Sequence, residues 1–137
     1  MDDPEHDFWH AVDAIRERDP RYRREAYAFL MAALGHAVAS LPAERRMDPQ
    51  RRHLSGGELV DGAVALARRE FGVMAPTVFR EWGVTRAEDL GVMVFQLVEA
   101  GQLSARPEDR LEDFAGGPDL LERLGDEART GPGPARA

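Results

Sequence analysis

The sequence predicts an almost wholly helical domain, and three features of its 137 residues lead there. Alanine supplies 20 residues, whereas valine, isoleucine and threonine together supply 14, a balance that favours helix over sheet. Apolar residues recur at spacings of three and four through most of the chain. Helix-starting and helix-stopping residues punctuate those runs where a helical reading needs them. The 43% hydrophobic and 31% charged fractions are those of a globular chain, which excludes wholesale disorder, and the length suits one core.

The elements follow in order. Asp3-Pro4 reads as an N-cap and a first-turn proline, and Phe8, Val12 and Ile15 recur behind it beside Trp9, predicting a first helix over 4–18. Asp19-Pro20 repeats the device. It opens a longer helix whose face is Tyr22, Ala26, Leu30, Ala33, Leu34, Ala37 and Leu41, with Pro42 as its stop. Residues 43–54, AERRMDPQRRHL, lack an apolar period and read as a loop. Ser55 and Glu58 form a capping box ahead of Leu59, Ala63, Leu66, Ala67 and Phe71, and Gly72 ends that third helix. A short helix over 75–82 carries Val78, Phe79 and Trp82 and closes at Gly83. Thr85 and Glu88 read as a second capping box, opening a helix with Leu90, Met93, Val94, Leu97 and Val98 that ends at Gly101. Residues 102–115 then read as a short hairpin around the polar turn 106–110, made irregular by Pro107. One more helical turn is expected over 119–124.

These elements give one helical domain over 1–124: a helical pair over 4–41 and a helix-helix-helix-hairpin unit over 55–115, with 125–137 as a disordered tail. The order within 55–115 is that of a winged helix, with Trp82-Gly83-Val84-Thr85 as the turn of a helix-turn-helix. A plain helical bundle with a loose loop is the competing arrangement.

Composition removes several activities. All 18 basic residues are Arg, and Lys, Cys and Asn are absent. Disulfides, a Cys nucleophile, Cys-ligated zinc, a Schiff-base Lys and a P-loop Lys are therefore excluded. The net charge of −7 argues against indiscriminate binding to nucleic acid or anionic membrane. The N-terminus MDDPEHDF has neither the basic nor the apolar region of a signal peptide, and no apolar run approaches a bilayer span, so a cytoplasmic location is expected. Duplex DNA is an unsuitable partner for the winged-helix-like half. The helix at 86–100 sets Arg86 against Glu88, Asp89 and Glu99, and the hairpin adds Glu108, Asp109, Glu112 and Asp113 to Arg106 and Arg110.

Few constellations remain. His6 and His10 stand one helical turn apart, but no third residue spaces as a metal ligand, so no metal is expected. Carboxylates at 108–113 lack any cofactor motif or nucleophile elbow, and Ser55 is accounted for as a cap; no catalytic residue and no cofactor are expected. Charge is uneven, however: residues 16–53 hold nine Arg against five acids. Arg21, Arg23 and Arg24 stand at the start of the second helix. Arg45, Arg46, Arg51 and Arg52, followed by His53, fill the loop after it. Arginine pairs with carboxylate or phosphate in a fixed fork, so these eight residues are the candidate binding set for an anion or a partner. As solvated charges they would instead pair with Glu17, Asp19, Glu25 and Glu44 nearby.

Three ordered segments, DPRYRREAYAFL, RHLSGGELVDGAVALARREFGVMAPTV and REWGVTRAEDLGVMVFQLVEAGQLSARPEDRLEDF, resemble the planctomycete–verrucomicrobial conserved hypothetical family over roughly residues 12–117. The chain departs from that pattern at Leu90, Val92 and Gln96, and again at Gly117-Pro118-Asp119. The resemblance implies a domain and no activity.

The expected role is a non-enzymatic protein-interaction or adaptor module, with dimerisation through the apolar helix 90–98 as one form of it. The alternative is an RNA- or ribosome-associated factor that binds through Arg21–Arg24 and Arg45–Arg52.

Overall fold

A computed structural model of the chain describes residues 4–51, 53–104, 114 and 119–129. The described residues form helices and turns, with no strand among them. They are α1 (Pro4–Arg18), α2 (Arg24–Ala39), the single turn α3 (Ala43–Arg46), α4 (Gly56–Phe71), a 3₁₀ turn (Gly72–Met74), α5 (Ala75–Trp82), α6 (Ala87–Glu99) and α7 (Leu120–Arg129). The protein is all-α, as its composition and periodicity require. Asp3 with its expected cap, Arg52, the residues beyond 129 and most of the hairpin expected over 102–115 lie outside the described residues.

Four boundaries differ from the sequence expectation, each for a local reason. The helix expected to open at Asp19-Pro20 opens at Arg24 instead. Tertiary contacts hold residues 19–23 as a turn: the Tyr22 hydroxyl is drawn inward, and the Arg23 N–H donates to the Trp82 carbonyl at 3.1 Å rather than within a helix. Pro42, expected only to stop a helix, also begins one. Its carbonyl accepts from the N–H groups of Arg45 and Arg46, so 43–46 is helical within the expected loop. The cap of α6 is not the Thr85–Glu88 pair. The Asp89 carboxylate reaches back to the N–H groups of Thr85 and Arg86, both at 3.0 Å, and so supplies the acceptors the helix start lacks. Finally, the turn expected over 119–124 is the start of α7, which continues to Arg129 and so runs five residues into the expected tail.

The core is shared by α1, α2, α4, α5, α6 and α7, with α2 and α4 its closest-packed pair. Leu90, Met93 and Leu97 of α6 are fully buried in one cluster with Val12 and Ile15 of α1, Leu30 and Ala33 of α2, and Ala63, Val64 and Ala67 of α4. Helices α2 and α4 run antiparallel at close range. A β-carbon on Gly62 would stand 2.7 Å from that of Ala37, while further along the pair Phe29 and Phe71 meet with ring centroids 5.8 Å apart. Small residues at that crossing (Ala33, Ala37, Gly62) let the two backbones approach. Helix α7 covers the far side of α4 and α5 with Leu120 and Leu124 buried, and Arg123 bonds Asp61 at 2.8 Å.

The N-terminal turn lies directly on the turn between α5 and α6. Gly83 has φ +86°, and a β-carbon there would stand 2.3 Å from the Arg21 carbonyl oxygen. Only glycine meets both demands.

Candidate functional site

The arginines singled out in the sequence do not assemble into one site. The group at 21–24 stands at the start of α2 and the group at 45–52 follows its end. The sixteen-residue helix between them is about 24 Å long at 1.5 Å per residue. Four of the eight side chains, those of Arg21, Arg24, Arg45 and Arg46, are engaged locally. Arg21 grips Asp19 with Nη2 at 2.6 Å and Nε at 2.9 Å, and this hydrogen-bonded guanidinium holds the Asp19 carboxyl below its usual range. Arg24 bonds Asp13 at 2.8 Å and stacks over the Trp9 ring, 4.5 Å from its centroid. Arg23 is exposed and contributes its backbone N–H to the Trp82 carbonyl.

The second group closes its own loop. Arg45 donates to Glu58 at 2.5 Å and to the carbonyls of Arg51 at 2.9 Å and His53 at 3.3 Å. Glu58 also accepts the Ser55 N–H at 2.9 Å, completing the expected capping box. Its carboxyl is lowered to about 2, first by the Arg45 hydrogen bonds and then by that backbone N–H. Arg46 donates to the Leu41 carbonyl at 3.2 Å and to the last carbonyl of α2, that of Ala39, at 3.4 Å. Arg51 is exposed, His53 is half-buried, and Arg52 lies outside the described residues.

The fold does bring Arg80 and Arg86, on either side of the α5–α6 turn, towards the first group. Glu81 and Glu88 arrive with them, so that end of the molecule carries both signs. The helix that would enter a DNA groove in a winged helix is itself core: along α6 only Glu99 is fully exposed. The apolar stretch 90–98 is buried at Leu90, Gly91, Met93 and Leu97 and half-buried elsewhere, and Phe95 packs edge-on against Phe114 with centroids 6.5 Å apart. His6 and His10 stack 6.3 Å apart on exposed helix. Among the described residues no three His, Cys, Asp or Glu side chains gather as metal ligands.

The sequence reading missed the outer face of α2. From Ala26 to Ala43 there is no Asp, Glu or Arg. A helix apolar all round is ordinarily buried all round. Here Ala32, Gly35 and Ala39 are exposed, and Ala28, Met31, His36 and Val38 are half-buried. Beside this face opens a groove of about 440 Å³, with Phe29, Ala32 and His36 from α2 on one wall and Leu66, Arg69, Glu70 and Phe71 from α4 on the other. Its aromatic residues are held from behind. Phe29 and Phe71 pack on Trp82 at centroid distances of 5.5 and 5.7 Å, and Trp82 packs on the buried Phe79 at 5.5 Å. Phe71 leads into the 3₁₀ turn, where Val73 and Met74 are 70% and 52% exposed. These two side chains are exposed on the 3₁₀ turn that packs against α4, α5 and α7. The signal in the sequence was the missing polar face of α2, visible as eighteen residues without a formal charge.

No helix among the described residues is long and apolar enough to cross a membrane. Compared with protein-family models, with curated proteins and with solved structures, the chain matches none.

Proposed function

We propose that this protein is a non-enzymatic interaction module that docks another protein surface on the outer face of α2 and the adjoining α2–α4 groove. The observation that carries the reading is the uncharged stretch Ala26–Ala43 together with the exposure of Ala32, Gly35 and Ala39 on it. A solvated helix face normally carries charge; one that carries none loses little on being covered and gains from the apolar area removed from water. The groove supplies aromatic side chains already fixed by their packing, the kind of anchor that dominates protein interfaces. The resemblance carried by the three sequence motifs adds a domain to this reading and no activity.

A photo-reactive residue placed at Ala32, with Ala14 on the exposed side of α1 as control, tests it. A protein adduct is expected from Ala32 and none from Ala14. Absence of any protein adduct at Ala32 rejects the reading. The RNA alternative rests on the seven arginines of the candidate set, of which Arg21, Arg24, Arg45 and Arg46 are engaged within the fold. Its proper test is salt-dependent RNA binding by Arg23→Gln and Arg51→Gln, because replacing Arg45 opens its loop as well as removing charge.

A further inference from the structure

The module reading leaves the identity of the docked surface open, and the charges around the groove narrow it. A partner must cover a face whose centre is uncharged and whose rim carries Arg69 and Glu70, neighbours on the last turns of α4. Their mutual contact is long, 3.6 Å, and both side chains are more than half exposed. One cation and one anion side by side form a self-complementary pair. A two-fold axis crossing α2 and α4 near this level sets Arg69 of each protomer against the partner's Glu70, and the reverse.

Charge elsewhere favours the same place. A chain of net charge −7 repels its own copy, so two copies approach best where formal charge is missing, and Ala26–Ala43 is the long helical stretch that lacks it. Exposed Ala32, Gly35 and Ala39 have no side chain beyond Cβ to obstruct a second helix, and helices meeting through such residues lie at the short end of the usual 8–10 Å separation. Of the face expected from the sequence for dimerisation, 90–98, Leu90, Gly91, Met93 and Leu97 are buried and Val92, Val94, Phe95, Gln96 and Val98 half-buried, so it offers a partner less than the exposed positions of α2 do.

Resting on the module reading, we propose that the docked surface is a second copy of this chain, α2 lying antiparallel on the partner's α2 across the groove, with the two Arg69–Glu70 pairs closing the rim. Helices α4, α2, and their two copies then form a four-helix layer about the axis.

Sedimentation equilibrium on the purified full chain, from micromolar to millimolar concentration, reads this directly. The expected result is a monomer–dimer equilibrium abolished by Ala32→Glu and unchanged by Ala14→Glu, with both variants keeping the wild-type circular dichroism and thermal midpoint. Arg69→Glu and Glu70→Arg each weaken association roughly threefold to tenfold, as a paired rim charge turned to repulsion does. The double reversal Arg69→Glu/Glu70→Arg restores it, because it rebuilds the pair across the axis. A strict monomer throughout the range, a dimer indifferent to Ala32→Glu, or a double variant weaker than either single one overturns the proposal. A strict monomer that still gives an Ala32-dependent adduct with a different protein overturns this inference alone and leaves the module reading standing.

Discussion

The Tyr22 hydroxyl donates to the Asp89 carboxylate at 2.6 Å, joining the turn before α2 to the first turn of α6 across 67 positions of sequence. Both residues are buried. Asp89 spends its second oxygen on the N–H groups of Thr85 and Arg86, so one side chain both caps α6 and anchors the N-terminal turn. Close by, Tyr27 donates to Gln96 at 2.6 Å, and Gln96 donates to Asp19 at 2.9 Å. Two hydrogen-bonded routes thus run between the 19–27 segment and α6. Removing a donor from a buried carboxylate leaves it under-satisfied, so Tyr22→Phe is expected to cost about 1–3 kcal/mol. Asp89→Ala loses the cap as well and costs more. Urea unfolding of the two variants checks the order; a Tyr22→Phe midpoint equal to wild type contradicts it.

The glycines divide by what a methyl group would meet. Gly83→Ala places Cβ against the Arg21 carbonyl at positive φ and is expected to unfold the chain or cost several kcal/mol, of order 3 or more. Gly62→Ala pushes α2 and α4 apart at Ala37 and is also destabilising. Gly35→Ala meets nothing within 4 Å on an exposed helix and is expected to stabilise by roughly 0.5–1 kcal/mol. Thermal midpoints of the three variants rank them; Gly35→Ala falling below wild type refutes the assignment of that face as open.

The Glu58 carboxyl is held at about 2 in the folded chain against an ordinary 4.5. A depressed acid contributes stability above its unfolded pKa and loses it as pH falls towards the folded one. Stability is therefore expected to drop between about pH 4.5 and about 2, with Asp19, also lowered, adding in the same direction. Partial exposure of the Arg45–Glu58 pair reduces the size of this limb through solvent screening. Glu58→Gln flattens it in a pH series of urea midpoints; the same acid loss in that variant means another group is responsible.

Both tyrosines of the chain are buried, Tyr22 at 1% and Tyr27 at 0% exposure. Burial is the first cause that raises each phenol, Tyr27 to about 12 and Tyr22 further, with the Asp89 hydrogen bond and charge adding at Tyr22. A raised phenol contributes stability below its unfolded value near 10 and loses it as pH climbs towards the folded one. Tyrosinate absorbance is expected to appear in step with unfolding above about pH 10. A smooth titration in a still-folded chain, followed by circular dichroism, rules this out.

Much of the fold was legible because it depends on local chemistry. The runs behind Pro4, the Ser55–Glu58 box, the Gly72 and Gly83 stops and the bounds of α1, α4 and α5 follow from caps and a 3.6-residue period that neighbouring residues carry themselves. The start of α2 was not legible, since residues 19–23 are held out of the helix by Trp82, Asp89 and Gln96, far away in sequence. The α6 cap was misassigned for a related reason. Glu88 matches the usual spacing after Thr85, but Asp89 is the acid that faces inward to Tyr22.

For the candidate site the division is sharper. Residue order alone determined an all-α chain without Lys or Cys chemistry, and it located every arginine. Arg21 pairs with Asp19 two positions away, as the sequence allowed, but whether the others were free to bind depended on the tertiary structure, which paired Arg24 with Asp13 and Arg45 with Glu58. The missing charge on α2 was written in the sequence, but its meaning was not. An apolar stretch is core if neighbours cover every side and a surface if they leave one open. Which sides α4 and α6 cover is fixed by packing over long separations, and a periodicity cannot express that.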